Sequence, residues 1–199
     1  MKQAVLYIHG KGGSPEEADY YRGFCDDWEV FGLDYQTATP WETKEEILPA
    51  YETLRRKYGS VLLIANSIGA YFAMNALREK KVERAFFVSP IVDMEKLISD
   101  MMLWANVTEQ ELRERQVIPT SFGETLSWEY FCYVRAHPIV WNTATEILYA
   151  GKDNLTSYET ISRFARETHA SLTVMEDGEH WFHTGEQLAF LDAWLKSVI

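Results

Sequence analysis

The chain has 199 residues, of which 47% are hydrophobic, and its formal net charge is −11. This length predicts one domain over residues 1–199 with enough apolar material for a single large core. No basic run interrupts the acidic composition, so phosphates would be repelled; this argues against a nucleic-acid partner and against anionic membrane surfaces.

Six short apolar segments recur along the chain with the composition of parallel strands that are covered on both faces. They lie at 4–8, 28–33, 61–65, 84–88, 146–149 and 171–175. Helical segments are expected between or after them at 43–58, 67–80, 155–168 and 184–198. This alternation predicts an α/β fold with a doubly wound, mostly parallel six-stranded sheet.

One connection, residues 91–140, is much longer than the dozen or so residues that a crossover needs. It contains apolar residues at helical spacing, a capping pattern that begins at Thr108, and a second candidate cap at Ser127. Its many aromatic residues favour a helical lid insertion over a site. The alternative is an additional packing layer.

The two cysteines, Cys25 and Cys132, are far apart and match no metal or redox motif. No stretch approaches the ~18 apolar residues of a membrane span, and no signal-like segment precedes the first strand. We therefore expect a cytoplasmic protein with reduced thiols and no membrane association.

The segment Ala65-Asn66-Ser67-Ile68-Gly69 follows the most apolar strand and precedes a helix. This context is typical of a nucleophile elbow, with Ala65 where the usual pattern has its first glycine. The turn would expose the Ser67 hydroxyl and direct the Ile68 N–H toward the same point. Alternatively, Ser67 only caps the helix that follows it.

A glycine-rich loop, His9-Gly10-Lys11-Gly12-Gly13-Ser14, follows the first strand. Glycines allow a close approach of backbone amides to a reacting carbonyl, so the N–H of Lys11, or else that of Gly12, is a candidate oxyanion donor. A dinucleotide-binding turn is the other interpretation, with Asp34 as its acidic residue. Pro15 stands where that motif needs its third glycine.

Two further loops carry an acid and a base. Asp153 lies just past a late strand, where it could orient a histidine, and Asp93 is the second candidate acid. His180 lies between the last strand and the last helix and is the candidate general base, with His183 as second choice. Asp153 could instead cap a helix, and a metal site at the histidine pair would lack further ligands.

The order Ser67, Asp153, His180, with each residue after the carboxyl end of a strand, is the order of α/β-hydrolases. On these motifs the chain resembles the small bacterial-type serine hydrolases and esterases of the α/β-hydrolase fold family. The resemblance implies a sheet of order 2-1-3-4-5-6, an oxyanion hole made by Lys11 and Ile68, and no cofactor or metal. The implied activity is hydrolysis of a carboxylic ester or thioester of a small molecule through an acyl-enzyme.

Two alternatives stay open. The first is a non-catalytic protein of the same fold that binds a ligand or a partner, because a fold does not determine a function. The second is transfer of the acyl group to an acceptor other than water. The sequence specifies neither the substrate-binding residues nor the oligomeric state.

Overall fold

The computed structural model describes residues 3–199, and these form two compact units. The strands are β1 Gln3–Ile8, β2 Trp28–Gly32, β3 Ser60–Asn66, β4 Ala85–Val88, β5 Val117–Pro119, β6 Thr125–Ser127, β7 Thr145–Ala150 and β8 Ser171–Met175. The main sheet has the order β2-β1-β3-β4-β7-β8, and every neighbouring pair in it is parallel. Because β5 and β6 pair only with each other, this is the predicted order of the six main strands.

The helices are α1 Ala18–Arg22, α2 Pro40–Lys57, α3 Ile68–Ala76, α4 Met94–Trp104, α5 Glu109–Arg115, α6 Trp128–Ala136, α7 Tyr158–Thr168 and α8 Gly185–Val198. The four helices predicted between or after the main strands are confirmed, with shifted ends. Helix α2 begins before the predicted start because Thr39 caps it and Pro40 occupies its first turn.

Each face of the main sheet is buried, as the apolar strands predict. On one face, alternate strand residues such as Val5 and Ile64 pack in one core cluster with residues of α1 and α8. The residues of α8 in this cluster are Leu191, Trp194 and Leu195. Their neighbours along the strands, including Leu6 and Leu63, point the other way and are also buried. Helices therefore cover both faces, and the loops at the carboxyl edge are left to form a site.

The second compact unit is Asp93–Ile139, which lies within the predicted insertion at 91–140. It contains α4, α5, α6 and the antiparallel β5–β6 hairpin. The predicted caps are present, since Thr108 accepts the Glu111 N–H and Ser127 accepts the Tyr130 N–H. The role of this unit as a lid stays a prediction.

Arg135 joins the three helices of this unit. Its guanidinium contacts Glu95 of α4 and both carboxylate oxygens of Glu109 in α5, and it lies 3.9 Å from the ring centroid of Phe131 in α6. Within residues 3–199, no helix is both long and apolar enough to cross a membrane.

Candidate active site

Ser67 has an unusual backbone conformation at the junction of β3 and α3. Its φ of 52° and ψ of −124° lie outside the regions that a residue with a side chain ordinarily adopts. Its side chain makes no capping hydrogen bond to α3, so the alternative in which Ser67 only caps the helix is wrong. The strained turn instead exposes the hydroxyl at the carboxyl edge of the sheet.

Two glycines allow other backbone segments to come close to this turn. A Cβ at Gly69 would lie 2.3 Å from the carbonyl oxygen of His9, and a Cβ at Gly10 would lie 3.2 Å from the Cβ of Ser67. The end of β1 and the start of the glycine-rich loop at His9 therefore pack directly on the elbow. Gly69 is required by this contact, which is the steric reason for a small residue two positions after Ser67.

The structure brings Ser67, His180 and Asp153 into one hydrogen-bonded chain. The Ser67 Oγ lies 2.8 Å from the His180 Nε2, and the His180 Nδ1 lies 2.6 Å from the Asp153 Oδ2. A carboxylate can only accept, so the proton of the neutral ring is on Nδ1, and Nε2 faces the serine hydroxyl as an acceptor. This is the protonation that a general base requires.

The carboxylate of Asp153 is fully buried, yet both of its oxygens have partners. The Leu155 and Thr156 amides donate to Oδ1 over 2.7 and 3.0 Å, and His180 occupies Oδ2. Burial of a charge is tolerated when hydrogen bonds replace its hydration. Burial and the charge of Asp153 together raise the pKa of the neighbouring Tyr149 to about 12.

The loop that carries Asp153 is attached to the loop that carries His180. The Lys152 N–H donates to the Gly178 carbonyl over 2.8 Å, and the Lys152 ammonium lies 2.7 Å from the Asp177 carboxylate. Since these bonds lie one residue from the acid and two or three from the base, they fix the separation of the two side chains.

The loop predicted to supply an oxyanion donor makes a tight turn beside Ser67. The Gly13 N–H donates to the Gly10 carbonyl over 3.1 Å, and Gly12 adopts a φ of +74°, which favours glycine. Lys11 lies within this turn, next to the glycine that contacts the elbow. Ile68 is the first residue of α3, so its N–H has no acceptor within the helix.

His9, the first residue of this loop, stabilises it through contacts with Gly10 and Tyr35. Its Nδ1 lies 2.8 Å from the Gly10 carbonyl oxygen, its ring stacks on Tyr35 at 4.2 Å, and the Tyr35 hydroxyl donates to its carbonyl. His9 thus stabilises the loop, and its ring is hydrogen-bonded to Gly10 and not to Ser67.

The remaining candidates have other contacts. His183 is hydrogen-bonded through Nδ1 to the Trp181 carbonyl, and Asp93 accepts the Lys96 N–H as the cap of α4. The cap of α7 is Ser157, so Asp153 is not a helix cap. No group of three or more His, Cys, Asp or Glu side chains able to hold a metal occurs among residues 3–199.

The interpretation of the glycine-rich loop as a dinucleotide turn finds no support in the segment after that loop. The chain continues into a short turn at Pro15–Glu17 and then into α1, which has only five residues. A dinucleotide fingerprint needs a longer helix whose first turn holds the pyrophosphate.

Comparison with solved structures gives the same fold over nearly the whole chain. Est1E from Butyrivibrio proteoclasticus is 16% identical with a TM-score of 0.78, and the match covers 98% of this chain and 86% of that one. Alpha/beta hydrolase domain-containing protein 10 from mouse is 13% identical with a TM-score of 0.75, over 98% and 88% of the two chains. An esterase from Pyrococcus furiosus is 18% identical with a TM-score of 0.64, over 99% and 80%.

A further structure of Est1E contains ferulic acid and matches with a TM-score of 0.71 at 14% identity, over 98% of this chain and 87% of that chain. No protein-family model matches the sequence, and no curated protein is significantly similar to it. The chain therefore has the α/β-hydrolase fold, as its motifs predict. At these identities the likeness establishes the fold alone.

Sequence reasoning did not identify a group of polar residues behind Ser67. Tyr7, Tyr21 and Asn66 are joined by hydrogen bonds, and the Tyr7 hydroxyl continues to Glu17. The only signal in the sequence is a tyrosine within an otherwise apolar strand.

Proposed function

We propose that this protein is a serine hydrolase that cleaves a carboxylic ester or thioester of a small molecule through an acyl-enzyme. The observation that carries the proposal is the hydrogen-bonded chain Ser67–His180–Asp153, which begins at a serine in a strained turn between a strand and a helix. A positive φ at a serine and a buried carboxylate both cost stability, and a purely structural contact would need neither.

In the first half of the reaction, the Ser67 Oγ attacks the carbonyl carbon of the substrate while the His180 Nε2 takes the hydroxyl proton. Asp153 holds the ring in the required tautomer and stabilises the imidazolium. The amides of Ile68 and Lys11 bind the oxyanion of the tetrahedral intermediate. The intermediate then expels the alkoxide or thiolate, which receives the proton from His180, and the acyl group remains on Ser67.

In the second half, a water molecule attacks the acyl carbon and gives its proton to His180. The tetrahedral intermediate collapses, the Ser67 oxygen takes the proton back from His180, and the free carboxylic acid leaves. Water is the acceptor in this proposal. The similarity to the esterase from Pyrococcus furiosus and to Est1E, which binds ferulic acid, favours carboxylic esters as the first substrates to test.

The test is turnover of p-nitrophenyl esters from acetate to decanoate, and of the matching thioesters, by the wild type and Ser67→Ala. We expect turnover to vanish in the variant while circular dichroism shows an intact fold. Ser89→Ala is the matched control, because Ser89 also has a positive φ, 43°, and is buried with an Oγ that has no hydrogen-bond partner among residues 3–199.

A fluorophosphonate probe provides a second readout that does not depend on finding the substrate. It should label the wild type and Ser89→Ala but not Ser67→Ala. Equal turnover in wild type and Ser67→Ala would refute the mechanism. Labelling of Ser67 without turnover of any ester or thioester would instead favour a non-catalytic binding protein of this fold.

A further inference from the structure

Four hydrogen-bonded side chains, which include Asn66 directly before Ser67, extend to the glycine-rich loop. The Tyr21 hydroxyl donates to the Asn66 Oδ1 over 2.9 Å, and the Asn66 Nδ2 donates to the Tyr7 hydroxyl oxygen over 2.9 Å. The Tyr7 hydroxyl in turn donates to the Glu17 Oε2 over 2.5 Å. Each bond has one donor and one acceptor, so the donors and acceptors of this hydrogen-bonded series are matched from Tyr21 to the Glu17 carboxylate.

Glu17, the last member of this hydrogen-bonded series, contacts the loop that contains Lys11. The Glu17 Oε1 accepts the Ser14 N–H over 3.3 Å, and a Cβ at Gly13 would lie 2.6 Å from the same oxygen. The Glu17 carboxylate therefore lies against the end of the turn that begins at Gly10. The same series is also connected to the elbow, because Asn66 is covalently joined to Ser67.

Tyr7 is the central member of the chain, and its environment keeps it a donor. The residue is fully buried in β1, and its hydroxyl bonds to both Asn66 and Glu17. Burial, Tyr21 and the bonded Glu17 carboxylate all raise the pKa of Tyr7 well above its ordinary value. The hydroxyl consequently stays protonated through the neutral range and continues to donate to Glu17.

We propose that Tyr7, with Glu17 and Asn66, positions the nucleophile elbow against the glycine-rich loop and so sets the distance between the Ile68 and Lys11 amides. The proposal rests on the proposed function, in which these amides bind one oxyanion. Each amide belongs to a different segment. Tyr7 bonds to Asn66, which adjoins the elbow, and to Glu17, whose carboxylate lies against the glycine-rich loop. Two donors stabilise one oxygen only when both lie about 3 Å from it, so a small shift of either segment weakens the site.

The experiment compares Tyr7→Phe with Tyr58→Phe. Tyr58 is a matched control because it is 5% exposed and its hydroxyl donates to the Glu29 Oε2 over 2.5 Å. Glu29 lies near the amino end of β2, whereas the site lies at the carboxyl edge of the sheet. Each variant loses one tyrosine–glutamate hydrogen bond, and Tyr7→Phe also loses the bond that the Asn66 Nδ2 donates, so Tyr7→Phe should lose more thermal stability than Tyr58→Phe. Only Tyr7→Phe should slow the chemistry.

We expect Tyr7→Phe to lower kcat, and the rate at which fluorophosphonate labels Ser67, by roughly 10- to 100-fold with little change in KM. Its affinity for a trifluoromethyl ketone, which forms a tetrahedral adduct with an oxyanion, should fall in parallel. Tyr58→Phe should match the wild type in all three. Equal values for the two variants would overturn the positioning role while leaving the proposed function intact.

Glu17 provides a second pair of variants that does not disturb the core, because this side chain is exposed. Glu17→Gln keeps an acceptor for Tyr7, whereas Glu17→Ala keeps none, so the labelling rate should fall more in Glu17→Ala. Equal rates in both and in the wild type would overturn the proposal even if Tyr7→Phe failed to fold. If Ser67 in the wild type reacted with neither probe nor ester, the proposed function itself would fail.

Discussion

Gly151 lies against Glu176 so closely that a Cβ at position 151 would be 2.4 Å from the Glu176 carbonyl oxygen. These two residues belong to the loops that carry Asp153 and His180. The contact explains why a glycine is needed two positions before the acid. Any side chain there would push the two loops apart.

Gly151→Ala should therefore lower both stability and activity. We expect a loss of about 1–3 kcal/mol in the free energy of unfolding, the usual cost of an overpacked site, and a fall in kcat because the His180–Asp153 bond is stretched. Denaturant unfolding and ester turnover provide the measurements. Gly23→Ala is the control, since a Cβ there meets only the Tyr20 carbonyl at 3.7 Å; equal losses in both variants would contradict this account.

Replacement of the buried acid by its amide should affect catalysis far more than folding. In Asp153→Asn the amide group would face the His180 Nδ1 and favour the wrong tautomer, so we expect kcat to fall by about 10⁴-fold. Asp93→Asn is the matched control: Asp93 caps α4, and asparagine caps a helix equally well. Full activity of Asp153→Asn would indicate that another acid orients His180.

The strain at Ser67 should be measurable by comparison of the stabilities of two variants at this position. Glycine adopts a positive φ easily, so Ser67→Gly should be more stable than Ser67→Ala by about 1–3 kcal/mol. The order should reverse at Ser162 in α7, where Ser162→Ala should be more stable than Ser162→Gly by about 1 kcal/mol. Thermal or urea unfolding of the four variants tests both signs, and a Ser67→Ala variant at least as stable as Ser67→Gly would show that Ser67 is unstrained.

Alkaline pH should destabilise the fold because two buried groups, Cys25 and Tyr149, lose protons more easily in the unfolded chain than in the folded one. Burial raises the pKa of the Cys25 thiol to about 11 and that of Tyr149 to about 12, from 9.0 and 10.0. Between the ordinary and raised values the folded chain retains protons that the unfolded chain releases, so stability falls as pH rises.

We therefore expect Tm, followed by circular dichroism, to decline from about pH 9 upward. Cys25→Ala should flatten the first part of the decline, whereas Cys132→Ala should not, because Cys132 is exposed. A Tm that stayed constant from pH 9 to about pH 11 would contradict the expectation.

The fold was predictable because its six main strands are continuous apolar runs, and such runs suit a sheet covered on both faces. Helix α1 and the β5–β6 hairpin were missed for a physical reason: five-residue and three-residue elements are too short to display a periodicity. Tertiary contacts, which the sequence pattern does not encode, hold them in place.

The sequence also predicted which side chains meet. Ser67, Asp153 and His180 each follow a strand, and parallel strands bring their carboxyl ends to one edge. The bond between Tyr7 and Asn66 joins residues 59 positions apart, and Glu17 stands among other acidic residues, so neither pattern nor spacing indicated them. Their contribution depends on side-chain directions that only the packed structure defines.

The strand order β2-β1-β3-β4-β7-β8 has a consequence for synthesis on the ribosome. Taken in chain order, every strand of the main sheet after β1 joins an edge that already exists, and none has to enter between two paired strands. The sheet can thus grow outward while the chain is being made, without reopening any ladder. Because β8 is added last and His180 follows it, a nascent chain would hold Ser67, the proposed nucleophile, without His180, the proposed base, until assembly is almost complete.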